Sequence, residues 1–163
     1  MNKLIGFLIL IFLSGCASHQ TLEAFKKDDL FEKAVLVTQK SDIINSLETK
    51  AIINATYLNT IDKSFSSDKV ERFIIGIYIT DDEKNEEFKF LNNPHYKLLM
   101  NDKAPLSIKP FSKEHKMYGK IPLHNNWAKY YEVEFEKTPK IYKLELKLSN
   151  AHFDDAKIVF ESE

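Results

Sequence analysis

Apolar and polar residues alternate with a period of two along much of the chain. Lys129–Lys137 places Tyr131, Val133 and Phe135 on one face and glutamates on the other, and Lys140–Ser149 repeats this pattern. The inward residues of the second segment are Tyr142, Leu144, Leu146 and Leu148. Because neighbouring side chains of a strand point to opposite faces, each segment predicts a β-strand with one buried face.

Further strand patterns occupy most of the chain from residue 50 onward. They are Lys50–Leu58, Glu71–Thr80, the short Glu87–Leu91, Tyr96–Met100, Pro105–Lys109 and Ala156–Glu161. Asn101-Asp102-Lys103 separates two of them, which predicts a β-hairpin with Asn-Asp at its turn. Asn150–Asp155 predicts the turn before the last strand.

The segment before residue 50 has a different pattern. Leu22–Lys33 shows partial helical periodicity and predicts one short helix. The β-branched residues of Ala34–Thr38 suit either the end of that helix or a first strand, so residues 34–45 stay open between the two.

About seven strands without intervening helices predict an all-β fold. Strands with one apolar face favour an antiparallel, immunoglobulin-like β-sandwich with a short N-terminal helix, and an open-ended β-barrel is the alternative. Pro139 suits a crossing between sheets, and Tyr142 either a tyrosine corner or an ordinary core position. The predicted core includes Ile53, Ile75, Ile77, Val133, Phe135, Leu144 and Leu146. The predicted solvent-facing set is Glu132, Glu134, Lys143 and Glu145.

Composition narrows the classes of partner. The chain has 163 residues, a formal net charge of −1 and 44% hydrophobic residues, enough for one domain with a real core. Arg72 is its one arginine. A near-neutral chain without a basic face does not predict nucleic-acid binding.

The amino-terminal residues have the pattern of an export signal. Lys3 precedes the apolar run Leu4–Leu13, which as a helix would rise about 15 Å, roughly half the thickness of the hydrocarbon core. Leu13-Ser14-Gly15-Cys16 follows and resembles the lipobox of bacterial lipoproteins. The resemblance implies cleavage before Cys16, the only cysteine, and lipid on its thiol and new amino group. Two or three acyl chains suffice for stable membrane anchoring.

This resemblance divides the chain into a signal peptide (residues 1–15), a lipidated tether (16–21) and a single Ig-like domain (22–163). Ala17 in place of Asp favours the outer membrane, with the periplasmic or surface side left open. With its strand pattern and composition, the mature domain also looks like the small single-domain lipoproteins of Campylobacter-like bacteria.

The sequence contains no local catalytic or metal-binding motif. Its five histidines lack H-x-H, H-x₃-H or HExxH spacing, and it contains no G-x-S-x-G motif. The expectation is therefore no enzyme activity, no metal and no cofactor.

One long segment, Lys109–Trp127, combines lysines with aromatic residues. The candidate binding residues are Lys113, Lys116, Tyr118, Lys120 and Trp127. Long loops in compact domains are often functional, and cations beside aromatic rings suit an anionic glycan or a protein partner. The alternative is a solvated connection, in which Tyr118 or Trp127 supports the core.

The expected function is that of a membrane-anchored, non-enzymatic binding or envelope-assembly module. The competing hypotheses are an envelope enzyme acting on cell-wall or lipid substrates and a purely structural subunit of an envelope complex.

Overall fold

The computed structural model describes residues 28–80, 90–140 and 142–161. One helix and eight strands lie within them: α1 (Asp29–Leu36), β1 (Thr38–Asn45), β2 (Glu48–Tyr57), β3 (Val70–Ile79), β4 (Tyr96–Met100), β5 (Ser107–Pro110), β6 (Lys129–Glu136), β7 (Lys143–Asn150) and β8 (Ala156–Glu161). The predicted signal peptide, the lipobox with Cys16 and the tether lie outside the described residues, as does most of the predicted strand Glu87–Leu91, whose last two residues form a turn.

The strands form two antiparallel sheets, so the predicted all-β sandwich is confirmed rather than the alternative barrel. The five-stranded sheet has the order β1-β2-β3-β6-β5, and the three-stranded sheet has the order β4-β7-β8. Without β1, these orders are the ABED and CFG orders of constant-type immunoglobulin domains. The additional strand β1 lies beside β8, where the Gln39 side chain donates a hydrogen bond of 2.7 Å to the Val159 carbonyl.

The predicted hairpin between β4 and β5 is wrong. Asn101 and Asp102 do form a turn, with φ of 47° and 61°. However, β4 pairs with β7 and β5 pairs with β6, so the chain crosses from one sheet to the other after this turn. The crossing predicted at Pro139 is confirmed, because it separates β6 from β7 of the opposite sheet.

The core lies between the two sheets and confirms the predicted alternation. All seven residues predicted for it are buried. Phe73 packs at its centre, with ring centroids 5.4 Å from Phe160 and 5.1 Å from Tyr57. The predicted solvent-facing residues are on the opposite faces of their strands, but Glu134 is 25% exposed and accepts a 2.7 Å hydrogen bond from Arg72.

Tyr142 is neither a core residue nor a buried corner, because it is 70% exposed. The strand begins only at Lys143, one residue later. Lys140, two residues before Tyr142, has φ of 65°, so the chain is still turning there. The alternating pattern of the sequence therefore begins before the first residue of the strand that it predicts.

Residues 34–45 divide between helix and strand. Asp28 caps α1, and its carboxylate accepts hydrogen bonds from the Leu30 and Phe31 amides. Of residues 34–45, Ala34 to Leu36 belong to the helix, and β1 begins at Thr38. The predicted short helix is thus confirmed, but it spans Asp29–Leu36 rather than Leu22–Lys33, and residues 22–27 lie outside the described residues. Within the three described ranges, no helix is long and apolar enough to cross a bilayer.

Candidate binding site

A second apolar cluster covers the outer face of the five-stranded sheet. Ile74 of β3 is 1% exposed although it points away from the main core. Around it are buried residues of α1 and of the segments that follow β2 and β5: Ala34, Leu58, Ile61, Phe65, Met117 and Ile121. This layer fixes the segment between β5 and β6 against the sheet.

The Tyr130 ring of β6 packs closely against the same outer face of the sheet because Gly76 of the neighbouring strand has no side chain. A Cβ at Gly76 would be 2.5 Å from Tyr130 Cε1 and 2.3 Å from the Asn54 side-chain oxygen. That oxygen accepts a hydrogen bond of 3.0 Å from the Gly76 amide. The missing methyl group thus gives space to both an aromatic ring and a buried amide.

Asn54 and Tyr130 hold the end of the long segment. Asn54 Nδ2 donates hydrogen bonds to the Leu123 carbonyl at 3.1 Å and to the Tyr130 hydroxyl at 3.3 Å. The hydroxyl also accepts a 2.7 Å hydrogen bond from the Asn125 amide. His124 stacks on Tyr130 with ring centroids 5.0 Å apart. Residues 123–125 are therefore fixed by side-chain contacts to the sheet.

His115 fixes the beginning of the segment. Its ring lies between Phe65 and Phe111, at centroid distances of 5.5 and 5.2 Å. Its Nδ1 accepts a hydrogen bond of 3.1 Å from the Met117 amide, which places any proton of the neutral ring on Nε2. Burial lowers the pKa of His115 below its ordinary value, and the Glu132 carboxylate, 4.0 Å from Nε2, partly opposes this effect.

A cavity of about 600 Å³ opens between these fixed parts. Four rings line it, from Phe111, Tyr118, His124 and Tyr130. Phe111 and Tyr118 stack at 6.1 Å, so the rings form two stacked pairs. Pro110, Ile121 and Ala128 add apolar surface, and Gly119, Lys113 and Lys129 complete the lining. The volume is typical of a site for a small ligand or a few side chains.

The predicted lysines do not act as one group. Lys120 pairs with Asp28 at 2.9 Å, where it lowers the pKa of that carboxyl and connects the long segment to the N-terminus of α1. Lys116 donates a hydrogen bond to Ser64 and lies 6.0 Å from the Phe65 ring. Lys113 is exposed, lines the cavity and makes no ion pair within the described part of the chain.

The two predicted aromatic residues also differ. Tyr118 lines the cavity and is 49% exposed, whereas Trp127 lies outside the lining and is 73% exposed. The structure brings Lys113 and Tyr118 together in the cavity. Sequence reasoning missed Phe111, His124 and Tyr130 as site residues. The available signal was the strand containing Ile74 and Gly76, which is apolar on both faces and therefore indicates a covered outer face.

The lining defines what the cavity can do. Its described residues provide aromatic faces, one phenol at the opening, one imidazole and lysine side chains, and none of them carries a carboxylate, thiol or aliphatic hydroxyl. Among residues 28–80, 90–140 and 142–161, no three His, Cys, Asp or Glu side chains are close enough to hold a metal ion. The arrangement is suited to contact with an apolar or aromatic group that carries negative charge.

Comparisons of the chain with protein-family models, with curated proteins and with solved structures found no match.

Proposed function

We propose that the protein is a lipid-anchored, non-enzymatic binding module of the bacterial envelope. In this proposal the lipobox residues Leu13–Cys16 supply the anchor, and Ala17 in place of Asp directs it to the outer membrane. The cavity beneath Lys109–Trp127 supplies the binding site. The partner is an envelope protein or an anionic envelope glycan.

The observation that carries the proposal is the construction of the cavity. Its base is fixed by Asn54 and Tyr130, and its aromatic rings are held in stacked pairs before any partner arrives. A preformed site loses less conformational entropy on binding than a mobile loop does. Tyr118 is half exposed at the opening, and exposed tyrosines in such positions often dominate binding energy.

The test is a crosslinked pull-down from native envelope, with the wild-type chain and with Tyr118→Ala and Lys113→Gln. Tyr142→Ala and Lys143→Gln are matched controls, because both residues are exposed at the start of β7, outside the cavity lining. We expect the two cavity variants to lose partners that the two controls retain, at unchanged thermal stability. Partners retained equally by all four variants would refute the cavity as the binding site.

The anchor is tested separately. Cys16→Ser removes the thiol that the lipobox offers for lipidation, so it should abolish labelling by a clickable fatty acid and release the protein from the detergent phase. Equal labelling of the wild type and Cys16→Ser would exclude Cys16 as the lipid attachment site and leave the cavity experiment unaffected.

A further inference from the structure

The polarity of the cavity restricts its occupant. A sugar ring presents several hydroxyl groups, and each needs a hydrogen-bond partner when it leaves water. Among the described residues, none that lines the cavity carries an amide or a carboxylate side chain, and the Tyr130 hydroxyl already accepts bonds from Asn54 and Asn125. A group with a large apolar surface and few polar atoms therefore fits this cavity better than a saccharide does.

The charge at the opening selects an anion next to that apolar group. The Lys129 ammonium lies 5.1 Å from the centroid of the Phe90 ring, and Lys116 and Lys120 are engaged with Ser64 and Asp28. Lys129 also lacks an ion-pair partner among the described residues, but Lys113 is the lining lysine for which they provide neither an aromatic contact nor an ion-pair partner. A carboxylate of the occupant beside Lys113 would supply one.

Two exposed apolar side chains lie next in sequence to residues of the cavity lining. Leu123 is 56% exposed and Trp127 73% exposed, and each is next in sequence to a lining residue, His124 and Ala128 respectively. A small molecule within the cavity would leave both side chains in water. An occupant that also covers them must be larger than the cavity and have an apolar surface of its own, which is a property of protein partners.

We infer that the cavity receives a peptide segment of a partner protein, with an aromatic or large aliphatic side chain inserted between the stacked ring pairs and an acidic residue beside it at Lys113. This inference rests on the proposed function and names the partner class of the same site. The inserted side chain supplies most of the affinity, and the exposed ion pair adds a smaller, salt-screened part.

The experiment is a selection of displayed random peptides on the mature protein purified in detergent. We expect the enriched peptides to share an aromatic or large aliphatic residue adjacent to Asp or Glu. Binding of the best such peptide should weaken about tenfold in Tyr118→Ala. It should weaken about two- to fivefold in Lys113→Gln, and the difference from wild type should shrink at high salt. Tyr142→Ala and Lys143→Gln should bind as the wild type does.

A glycan array probed with the same proteins separates the two partner classes. Enrichment of no shared motif, or a motif bound equally by Tyr118→Ala, would overturn the inference. Acidic glycans bound in a Tyr118-dependent way, without peptide enrichment, would overturn it and leave the cavity as a binding site. The pull-down with matched controls tests the proposed function itself. A failure of the proposed function can therefore be distinguished from a failure of this inference.

Discussion

Gly76→Ala should disrupt both the sheet and the cavity, although it adds a single methyl group. The new Cβ would overlap the Asn54 side-chain oxygen, at 2.3 Å, and Tyr130 Cε1, at 2.5 Å. Moving the ring costs about 1–3 kcal/mol as overpacking. Moving Asn54 breaks its buried bond with the Gly76 amide, at about 1–3 kcal/mol more. The expected loss of unfolding free energy is therefore about 2–6 kcal/mol.

Gly119→Ala is the matched control, because Gly119 is favoured by its positive φ and not by a lack of space for a side chain. Gly119 has φ of 76°, but no atom lies within 4 Å of an added Cβ. Backbone strain alone should cost about 1–2 kcal/mol. Urea unfolding monitored by circular dichroism measures both variants. In a Tyr130→Ala background the penalty for Gly76→Ala should shrink, because one of the two clashes is gone. The steric argument is refuted if Gly76→Ala is the milder change.

Three further variants test the core, an ion pair and a titrating group. Phe135→Ala removes a side chain from the core between the sheets and should lower the unfolding free energy by about 3–5 kcal/mol in urea. A loss no larger than that caused by replacing an exposed residue would mean that the register of β6 is wrong. Glu134→Ala should cost about 1–2 kcal/mol, because it leaves the partly buried Arg72 without its 2.7 Å partner; a neutral result in the same assay would show that the pair is fully screened. The pKa of His115 is lower in the folded than in the unfolded chain, so between those two values the unfolded state binds more protons and stability rises with pH. Acidification from pH 7 to 5 should destabilise the wild type more than His115→Phe in thermal melts, and identical pH profiles would contradict the assignment.

The strands could be predicted from the sequence where one face of the strand is buried and the other face is exposed to solvent. In β6 and β7 the alternation alone separates Val133 and Leu146 from their charged neighbours, and the structure has the same separation. The pairing of strands could not be predicted in this way. β4 and β5 are joined by a good turn, yet each hydrogen-bonds a strand far along the chain, because local turn chemistry does not specify which sheet a strand joins.

The candidate site was predicted in part. The length and composition of Lys109–Trp127 indicated the right segment, and Tyr118 and Lys113 do line its cavity. The sequence could not show that Lys120 is paired with Asp28, 92 positions earlier. Nor could it show that the Tyr130 ring lines the cavity, since the ring occupies space that a side chain at Gly76 of the neighbouring strand would fill.

The strand order has a consequence for how the chain acquires its structure during synthesis. β1, β2 and β3 are consecutive neighbours and can pair as soon as they are made, but β3 must wait for β6, and the opposing sheet needs β7 and β8. Phe160 covers Tyr57 and Phe73 only when the last strand has formed. An early sheet with an uncovered apolar face is prone to aggregate. A nascent or prematurely terminated chain that ends before residue 143 should therefore depend on a chaperone.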